Sequence, residues 1–387
     1  MKKKIAILGS TGSIGKTTIN ILKKDKKNFK VVLLTTNNNY KEILKQANEF
    51  NPDNIVINNT KGYLKLKNKF KKKKVKIFND IDNFNKTHKG KMDYTMCAIS
   101  GLEGIKPTLN LIKFSKSIAI ANKESIICGW NLIQNKLKKY KTKFIPIDSE
   151  HFSIWSLLNN SHGNDIEEII ITASGGPFLK LPFYKFNKIK PSIAIKHPNW
   201  KMGKKISVDS ATMINKIFEV IEAQRIFNID IKKFKILIHP NSYVHAVVKF
   251  HNGITKFLVH DTDMKIPIFN SLYINKPKKI ITKKLNINKL NNLNFTKPDK
   301  LRYPSINLLK VLSNKISFYE TILVSANDEL VELFLNEKIT FQDIVKKLKI
   351  ILKSKLFLKY KNKKPKNYQE LIKLSNFVRL KTRSLCI

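Results

Sequence analysis

The stretch Lys4-Ile-Ala-Ile-Leu8-Gly9-Ser-Thr-Gly12-Ser-Ile-Gly15 decides the fold class. An unbroken apolar run from Ile5 to Leu8 reads as a short buried strand, and glycines spaced three apart follow at once. Beyond Lys16, the residues Ile19, Ile21 and Leu22 fall on a helical pattern, and Phe29-Lys-Val-Val-Leu-Leu34 returns to strand. Strand, glycine turn, helix and strand together open a doubly wound α/β domain of Rossmann type. The G-x-x-G-x-x-G spacing departs from G-x-G-x-x-G. It still permits a tight turn and brings a pyrophosphate close to the backbone at a helix N-terminus. A glycine turn alone also fits a purely structural bend; its place between strand and helix is what points to a dinucleotide.

An NAD site needs a carboxylate at the end of the second strand for the ribose hydroxyl. Here Thr35-Thr-Asn-Asn-Asn39 carries no acid, which favours NADP, whose 2′-phosphate an acid would repel. Lys41 is close enough in sequence to meet that phosphate, and equally reads as a solvated lysine.

Further strands are expected at Asn54-Ile-Val-Ile57, Tyr94-Thr-Met-Cys-Ala-Ile99, Ser117-Ile-Ala-Ile120 and Lys143-Phe-Ile-Pro-Ile147, with helical patterns between them. An NADP-binding domain is therefore expected over residues 1–148, with the Lys-rich run 65–76 as an exposed loop or helix end. Residues 149–273 mix strand patterns (Glu168-Ile-Ile-Ile-Thr172, Lys235-Ile-Leu-Ile238, His245-Ala-Val-Val-Lys-Phe250) with helices and predict an α+β catalytic domain. Residues 274–300 read as a polar connector, and 301–387 as a small C-terminal helical domain. In that last part Thr340 and Asp343 form a capping-box pattern ahead of the stripe Phe341, Ile344, Val345 and Leu348.

At 387 residues the chain exceeds a single ordinary core. No run approaches the roughly 20 apolar residues of a membrane helix. Met1-Lys-Lys-Lys imitates a signal-peptide start, but the apolar run ends at Leu8, so the expected compartment is the cytoplasm. Cys97, Cys128 and Cys386 lack metal-ligand spacing and fit a reducing compartment. The net charge of +46 suggests a polyanion partner. Only Arg225, Arg302, Arg379 and Arg383 supply the guanidinium forks that nucleic-acid readers favour. Lys, Asn and Ile are inflated together, as an AT-rich coding sequence would produce. With no recognition fold in sight, nucleic acid is not the expected partner, although the field can steer anionic small molecules.

Asp148-Ser-Glu150 follows a predicted strand, so both carboxylates can converge on one cation, with Glu219 as a third oxygen ligand. An all-carboxylate set suits Mg²⁺ or Mn²⁺ rather than zinc, while Asp-x-Glu alone is commonly a solvated loop pair. The stretch from His197-Pro-Asn-Trp200 to Glu219 adds the richest mixture of side chains in the chain. Asp209 or Ser210 can cap a helix running through Glu219, whose first amides would accept a phosphate. Asn215 and Glu219 share a face with Lys216 beside them, able to hold phosphate and metal together behind an aromatic flap. The alternative is an ordinary amphipathic helix with a Lys–Glu pair, a structural His197 and a core Trp200. Thr172-Ala-Ser-Gly-Gly-Pro-Phe178 puts a hydroxyl and two glycines at a strand end, open to a phosphate oxygen or to simple turning. Ala121-Asn-Lys-Glu-Ser125 sets an amide, an amine and a carboxylate where cofactor would meet substrate.

In this order, these segments, with Ile238-His-Pro-Asn-Ser-Tyr-Val-His245 and more weakly Ala326-Asn-Asp-Glu329, resemble the 1-deoxy-D-xylulose 5-phosphate reductoisomerase family of the non-mevalonate isoprenoid pathway. The resemblance implies a homodimeric oxidoreductase using NADPH and Mg²⁺, Mn²⁺ or Co²⁺. Its substrate would be a phosphorylated sugar, rearranged and reduced to 2-C-methyl-D-erythritol 4-phosphate. By the same likeness Asp148, Glu150 and Glu219 are the metal ligands, and Ser149 touches a substrate hydroxyl. Ser174, Ser210, Asn215 and Lys216 clamp the phosphate, with His197 nearby on the flap and Trp200 covering the substrate. Lys123 lies near the reacting oxygens. Thr11, Gly12, Ser13, Ile14, Asn122, Glu124, Gly203 and Met264 match cofactor contacts. The chain departs from the family pattern at Asn38, where lysine is usual for the 2′-phosphate, at Asn241 for Gln, and at Thr262 for Pro. Its last 35 residues resemble the family poorly. Competing readings are a general NADP-dependent dehydrogenase, which needs no carboxylate triad, and a decayed, inactive relative.

Overall fold

A computed structural model describes residues 1–158, 165–200, 202–274 and 276–386. They form two compact units, one of Met1–Asp148 with Met264–Ile280, the other of Ser149–Asp263 with Ile281–Ile387.

The first unit alternates β1 (Lys3–Leu8), α1 (Ser13–Lys23), β2 (Phe29–Thr36), α2 (Tyr40–Phe50), β3 (Asn54–Ile57), α3 (Thr60–Lys69), β4 (Lys76–Phe78), α4 (Ile81–Thr87), β5 (Tyr94–Cys97), α5 (Ile105–Leu111), β6 (Ser117–Ile120), α6 (Lys123–Tyr140) and β7 (Lys143–Pro146). The strands are all parallel, in the order β4-β3-β2-β1-β5-β6-β7. A parallel sheet is covered on both faces, which is why Ile5 to Leu8 are apolar without alternation and wholly buried. Strand order reverses at β1, between β2 and β5, opening a crevice at the carboxyl ends of these strands. Gly9 turns the chain there at φ +76, and a Cβ on Gly15 would sit 2.3 Å from the Gly9 carbonyl oxygen. Gly15 thus lets α1 lie against the end of β1.

The second unit opens with α7 (Ser149–Leu157), β8 (Ile166–Ala173), α8 (Pro191–Ala194), α9 (Lys204–Ala211) and α10 (Ile214–Phe227). It continues through β9 (Phe234–Ile238), β10 (Val244–Phe250) and β11 (Thr255–Val259). The sheet runs β11-β10-β8-β9, with β8 and β9 parallel and the other pairs antiparallel. The chain returns to the first unit as α11 (Lys265–Leu272). It then completes the second with α12 (Ile287–Asn291), α13 (Tyr319–Leu335), α14 (Phe341–Lys353), α15 (Lys355–Leu358) and α16 (Tyr368–Ser384). The capping box of Thr340 and Asp343 is formed at α14, and Phe341, Ile344, Val345 and Leu348 are its buried face.

Several boundaries differ from the sequence-based expectation. Residues 264–273, expected in the second domain, pack with the first unit. Ile268, Leu272 and Tyr273 share its core with Ile5 and Ile7, and the Tyr94 and Ser271 hydroxyls lie 2.7 Å apart. A short apolar helix carries no mark of which core it serves. The C-terminal helices belong to the same unit as residues 149–263, tied by the buried Arg225–Glu320 ion pair at 2.8 Å. The polar connector contains α12 and a bridge from Thr296 to Ile238. The Lys-rich run ends in edge strand β4, and β11 pairs with β10 although its burial does not alternate cleanly.

Candidate active site

In the first unit, the crevice at the switch point is a cavity of about 500 Å³ lined by Gly9, Thr11, Gly12, Thr36, Asn37 and Glu103 among others. Gly12 is the N-cap of α1 and gives no side-chain cap, so the first-turn amides of Ser13 and Ile14 are left for an anion. Thr35 Oγ1 accepts the Gly9 N–H at 2.9 Å, and the Thr11 and Thr36 hydroxyls meet at 2.8 Å, fixing the turn against β2. Asn37 and Asn38 are exposed after β2, and Asn39 caps α2 through the Glu42 N–H. The described residues lining the cavity include no Lys or Arg. Met264 is partly buried against this unit's core.

Asn122 is buried, and its side chain is fully engaged. It caps α6 by accepting the Ser125 N–H and donates to the carbonyl oxygens of Ile99 and Gly101. Glu124 follows in the first turn of α6. Beside it, the Lys123 ammonium donates to Asp148 Oδ2 at 2.5 Å, both side chains being mostly buried.

Asp148 precedes α7, whose first residues are Ser149 and Glu150. The pair therefore does not alternate along an extended strand as expected; the chain turns into a helix between the carboxylates. Within the second unit α10 is buried all round from Ile214 to Arg225, although it carries Asn215, Lys216, Glu219 and Glu222. A surface helix would show a polar face to water; this one turns its polar groups on each other. Lys216 Nζ donates to Glu150 Oε1 at 2.5 Å and Glu219 Oε2 at 2.6 Å, and Asn215 Nδ2 donates to Glu219 Oε1 at 2.5 Å. Ser149 Oγ donates to the other Glu150 oxygen at 2.5 Å. Burial by itself pulls the Lys216 ammonium down, but the Glu150 and Glu219 carboxylates outweigh it and hold the group above its ordinary range. His151 Nε2 donates to the Glu219 carbonyl at 2.8 Å and anchors the helix, a role its sequence did not announce. Neither Asp209 nor Ser210 is a cap, since both lie inside α9. Met213, in the left-handed region at φ +64, turns α9 into α10.

Ser174 stands just past β8, where its hydroxyl accepts the Gly176 N–H at 3.0 Å and meets His197 Nε2 at 3.0 Å. His197 Nδ1 accepts the N–H groups of Asn199 and Trp200 at 3.1 and 3.0 Å. A ring nitrogen that accepts two amides carries no proton, so the neutral tautomer has its hydrogen on Nε2 and donates to Ser174. Burial, with a smaller push from Lys216, drops the His197 pKa to about 4. Trp200 stands edge-on to His245, ring centres 6.0 Å apart, and His245 in turn stacks on His260 at 3.7 Å. Gly203 is the exposed N-cap of α9. Lys201, in the expected flap 197–203, lies outside the described residues.

A family model described as 1-deoxy-D-xylulose 5-phosphate reductoisomerase matches residues 5–129, and models of that enzyme's C-terminal domain match residues 144–227 and 260–381. The chain is 56% identical over 387 residues to the 1-deoxy-D-xylulose 5-phosphate reductoisomerase of Pelagibacter ubique (strain HTCC1062), with 100% of both chains covered. It is 38% identical over 343 residues to that of Sulfurihydrogenibium sp. (strain YO3AOP1), covering 89% of this chain and 88% of that one. The solved reductoisomerase from Zymomonas mobilis in complex with NADPH matches at a TM-score of 0.89 and 31% identity, covering 100% of this chain and 99% of that one. A DOX-P reductoisomerase in complex with NADPH, fosmidomycin and magnesium matches at 0.86 and 29%, covering 99% and 97%. The C-terminal family model extends to residue 381, into the last 35 residues, which were expected to resemble the family poorly. Leu371, Leu374 and Val378 form part of the buried face of α16. The chain belongs to the 1-deoxy-D-xylulose 5-phosphate reductoisomerase family.

Proposed function

We propose that this protein converts 1-deoxy-D-xylulose 5-phosphate to 2-C-methyl-D-erythritol 4-phosphate with NADPH and a divalent cation (Mg²⁺, Mn²⁺ or Co²⁺), as a cytoplasmic homodimer. The observation that carries this reading is α10, buried from Ile214 to Arg225, whose Lys216 joins Glu150 to Glu219. Ligand oxygens of Asp148, Glu150 and Glu219 all lie within 4.8 Å of one another. Converging carboxylate oxygens with no His or Cys among them fit a hard cation, and Asp148, two residues ahead of Glu150, is the third ligand.

Held by these residues, the cation supplies Lewis-acid polarisation of the ketone and hydroxyl oxygens. NADPH, seated on Thr11, Gly12, Ser13 and Ile14 and reaching Asn38, Asn122, Glu124, Gly203 and Met264, supplies the hydride that reduces the aldehyde. The chain's own groups do the rest. Lys123, oriented by Asp148, presents its ammonium to the reacting oxygens. Ser149 binds a substrate hydroxyl. Ser174, Ser210, Asn215 and Lys216 hold the phosphate, with the His197 Nε2–H directed at Ser174. Rearrangement requires the fragments to be held for recombination, which is what a phosphate clamp and the Trp200 flap provide.

The site assignment is tested by Glu219→Gln. It removes a carboxylate charge without changing size, so turnover is lost while NADPH affinity stays within about twofold of wild type. Equal loss of both would mean that α10 serves the fold rather than the metal.

A further inference from the structure

Resting on the assignment of Ser210, Asn215 and Lys216 to the phosphate clamp, we infer that Asn327, on α13, is a positioning residue for that clamp and acts through Asp209. Asp209 is 1% exposed and directly precedes Ser210 on α9. A carboxylate so placed needs donors. It has the Asn327 Nδ2 at 2.7 Å and the Lys205 ammonium at 3.1 Å. Asn327 is itself wholly buried, on a helix otherwise turned inward with Leu323, Val324, Leu330 and Val331. Its Oδ1 has no hydrogen-bond partner among the described residues, so the link to Asp209 is what its amide side chain achieves there. Lys205 also reaches Asp328 at 2.8 Å, and Arg379 of α16 donates to that same carboxylate at 3.2 Å.

Two further bonds run from the C-terminal region to the same place. Ser305 Oγ donates to the Thr212 carbonyl at 2.6 Å, and the buried Tyr303 hydroxyl donates to the Gly175 carbonyl at 2.7 Å. Thr212 lies in the corner between Ser210 and Asn215, and Gly175 follows Ser174. A corner that keeps Met213 left-handed persists only if its surroundings hold it. Gly176, at φ +67, packs closely on α9, where a Cβ would lie 3.0 Å from Ala211 Cα. A shift of α9 therefore passes to the Ser174 loop as well. The C-terminal helices set the spacing of the clamp, and Asp209–Asn327 is the link nearest Ser210.

The test is titration calorimetry of inorganic phosphate onto the full-length protein, with folding followed by circular dichroism. Asn327→Asp sets two carboxylates face to face and weakens phosphate binding about tenfold or more. The exchange Asp209→Asn with Asn327→Asp rebuilds one N–H···O link with its polarity reversed and returns the affinity to within about threefold of wild type. Asn327→Ala, the milder change, weakens binding about threefold and carries the test if Asn327→Asp does not fold. In turnover the Asn327 variants raise KM for the phosphorylated substrate and change kcat by less than about threefold, since the metal carboxylates are untouched. Wild-type phosphate affinity in the Asn327 variants, with Ser210→Ala impaired, overturns the positioning role. Wild-type affinity in Ser210→Ala overturns the clamp assignment beneath it.

Discussion

Lys216→Met removes the ammonium shared by two buried carboxylates and keeps most of the side-chain volume. The Lys216, Glu150 and Glu219 side chains are 10%, 10% and 2% exposed, so water cannot replace the lost charge. Breaking a buried pair by removing one partner destabilises by about 3–5 kcal/mol. Repulsion between the carboxylates, at the 4.8 Å that bounds their separation, adds about 3 kcal/mol at an effective dielectric of 20 until one of them takes up a proton. Protonation caps the total, leaving about 3 kcal/mol or slightly more, a fall in melting temperature of about 4 °C for a chain of 387 residues. A divalent cation supplies the missing charge. Saturating Mn²⁺ should therefore recover most of the loss, and the variant should bind Mn²⁺ about tenfold more tightly than wild type, because no ammonium competes for the oxygens. Melting curves in EDTA and in Mn²⁺, with calorimetric titration of Mn²⁺, measure both quantities. Metal-free melting within about 2 °C of wild type, or weaker Mn²⁺ binding by the variant, would refute the reasoning.

Other expectations follow from individual contacts. His197, with its pKa pulled down to about 4 from an ordinary 6.5, is neutral across the physiological range. The unfolded chain takes up this proton first, so below about pH 6.5 the group reduces stability progressively until about pH 4. Its ring signals in nuclear magnetic resonance should not titrate between about pH 5 and 8 in ligand-free protein, and a midpoint near 6.5 would contradict the Ser174–His197 geometry. At the nucleotide turn, Gly15→Ala puts a methyl into the Gly9 carbonyl, only 2.3 Å away, and should destabilise by about 1–3 kcal/mol. In Gly12→Ala the new methyl would meet the Gly9 carbonyl oxygen at 3.5 Å, an ordinary contact, and the variant should fold normally. It should weaken NADPH about tenfold, because the methyl enters the cavity that Gly12 lines. Equal melting temperatures for the two variants would contradict this division.

Much of the fold was legible because it rests on local patterns. β1 is short and closed by glycines, α1 follows with helical spacing, and Thr340 with Asp343 is a cap written within four residues. The candidate site was half legible. Asp148-Ser-Glu150 and the 197–219 segment displayed their residue types, but not that Lys216 would bond Glu150, 66 residues earlier, as well as Glu219. Sequence spacing also misled. Asp148 and Glu150 straddle the start of α7, and Ser210 lies within α9, because the turn at Met213 depends on tertiary packing that no local propensity encodes. Asn327 was unreadable for the same reason, since a single asparagine in an apolar helix acquires meaning only when Asp209 is opposite it.

The most direct test of the account is NADPH consumption at 340 nm by the purified protein. The account predicts loss of absorbance only when 1-deoxy-D-xylulose 5-phosphate and a divalent cation are both present, abolished by EDTA and restored by added Mn²⁺. Consumption that persists in EDTA, or none under the complete conditions, would contradict it.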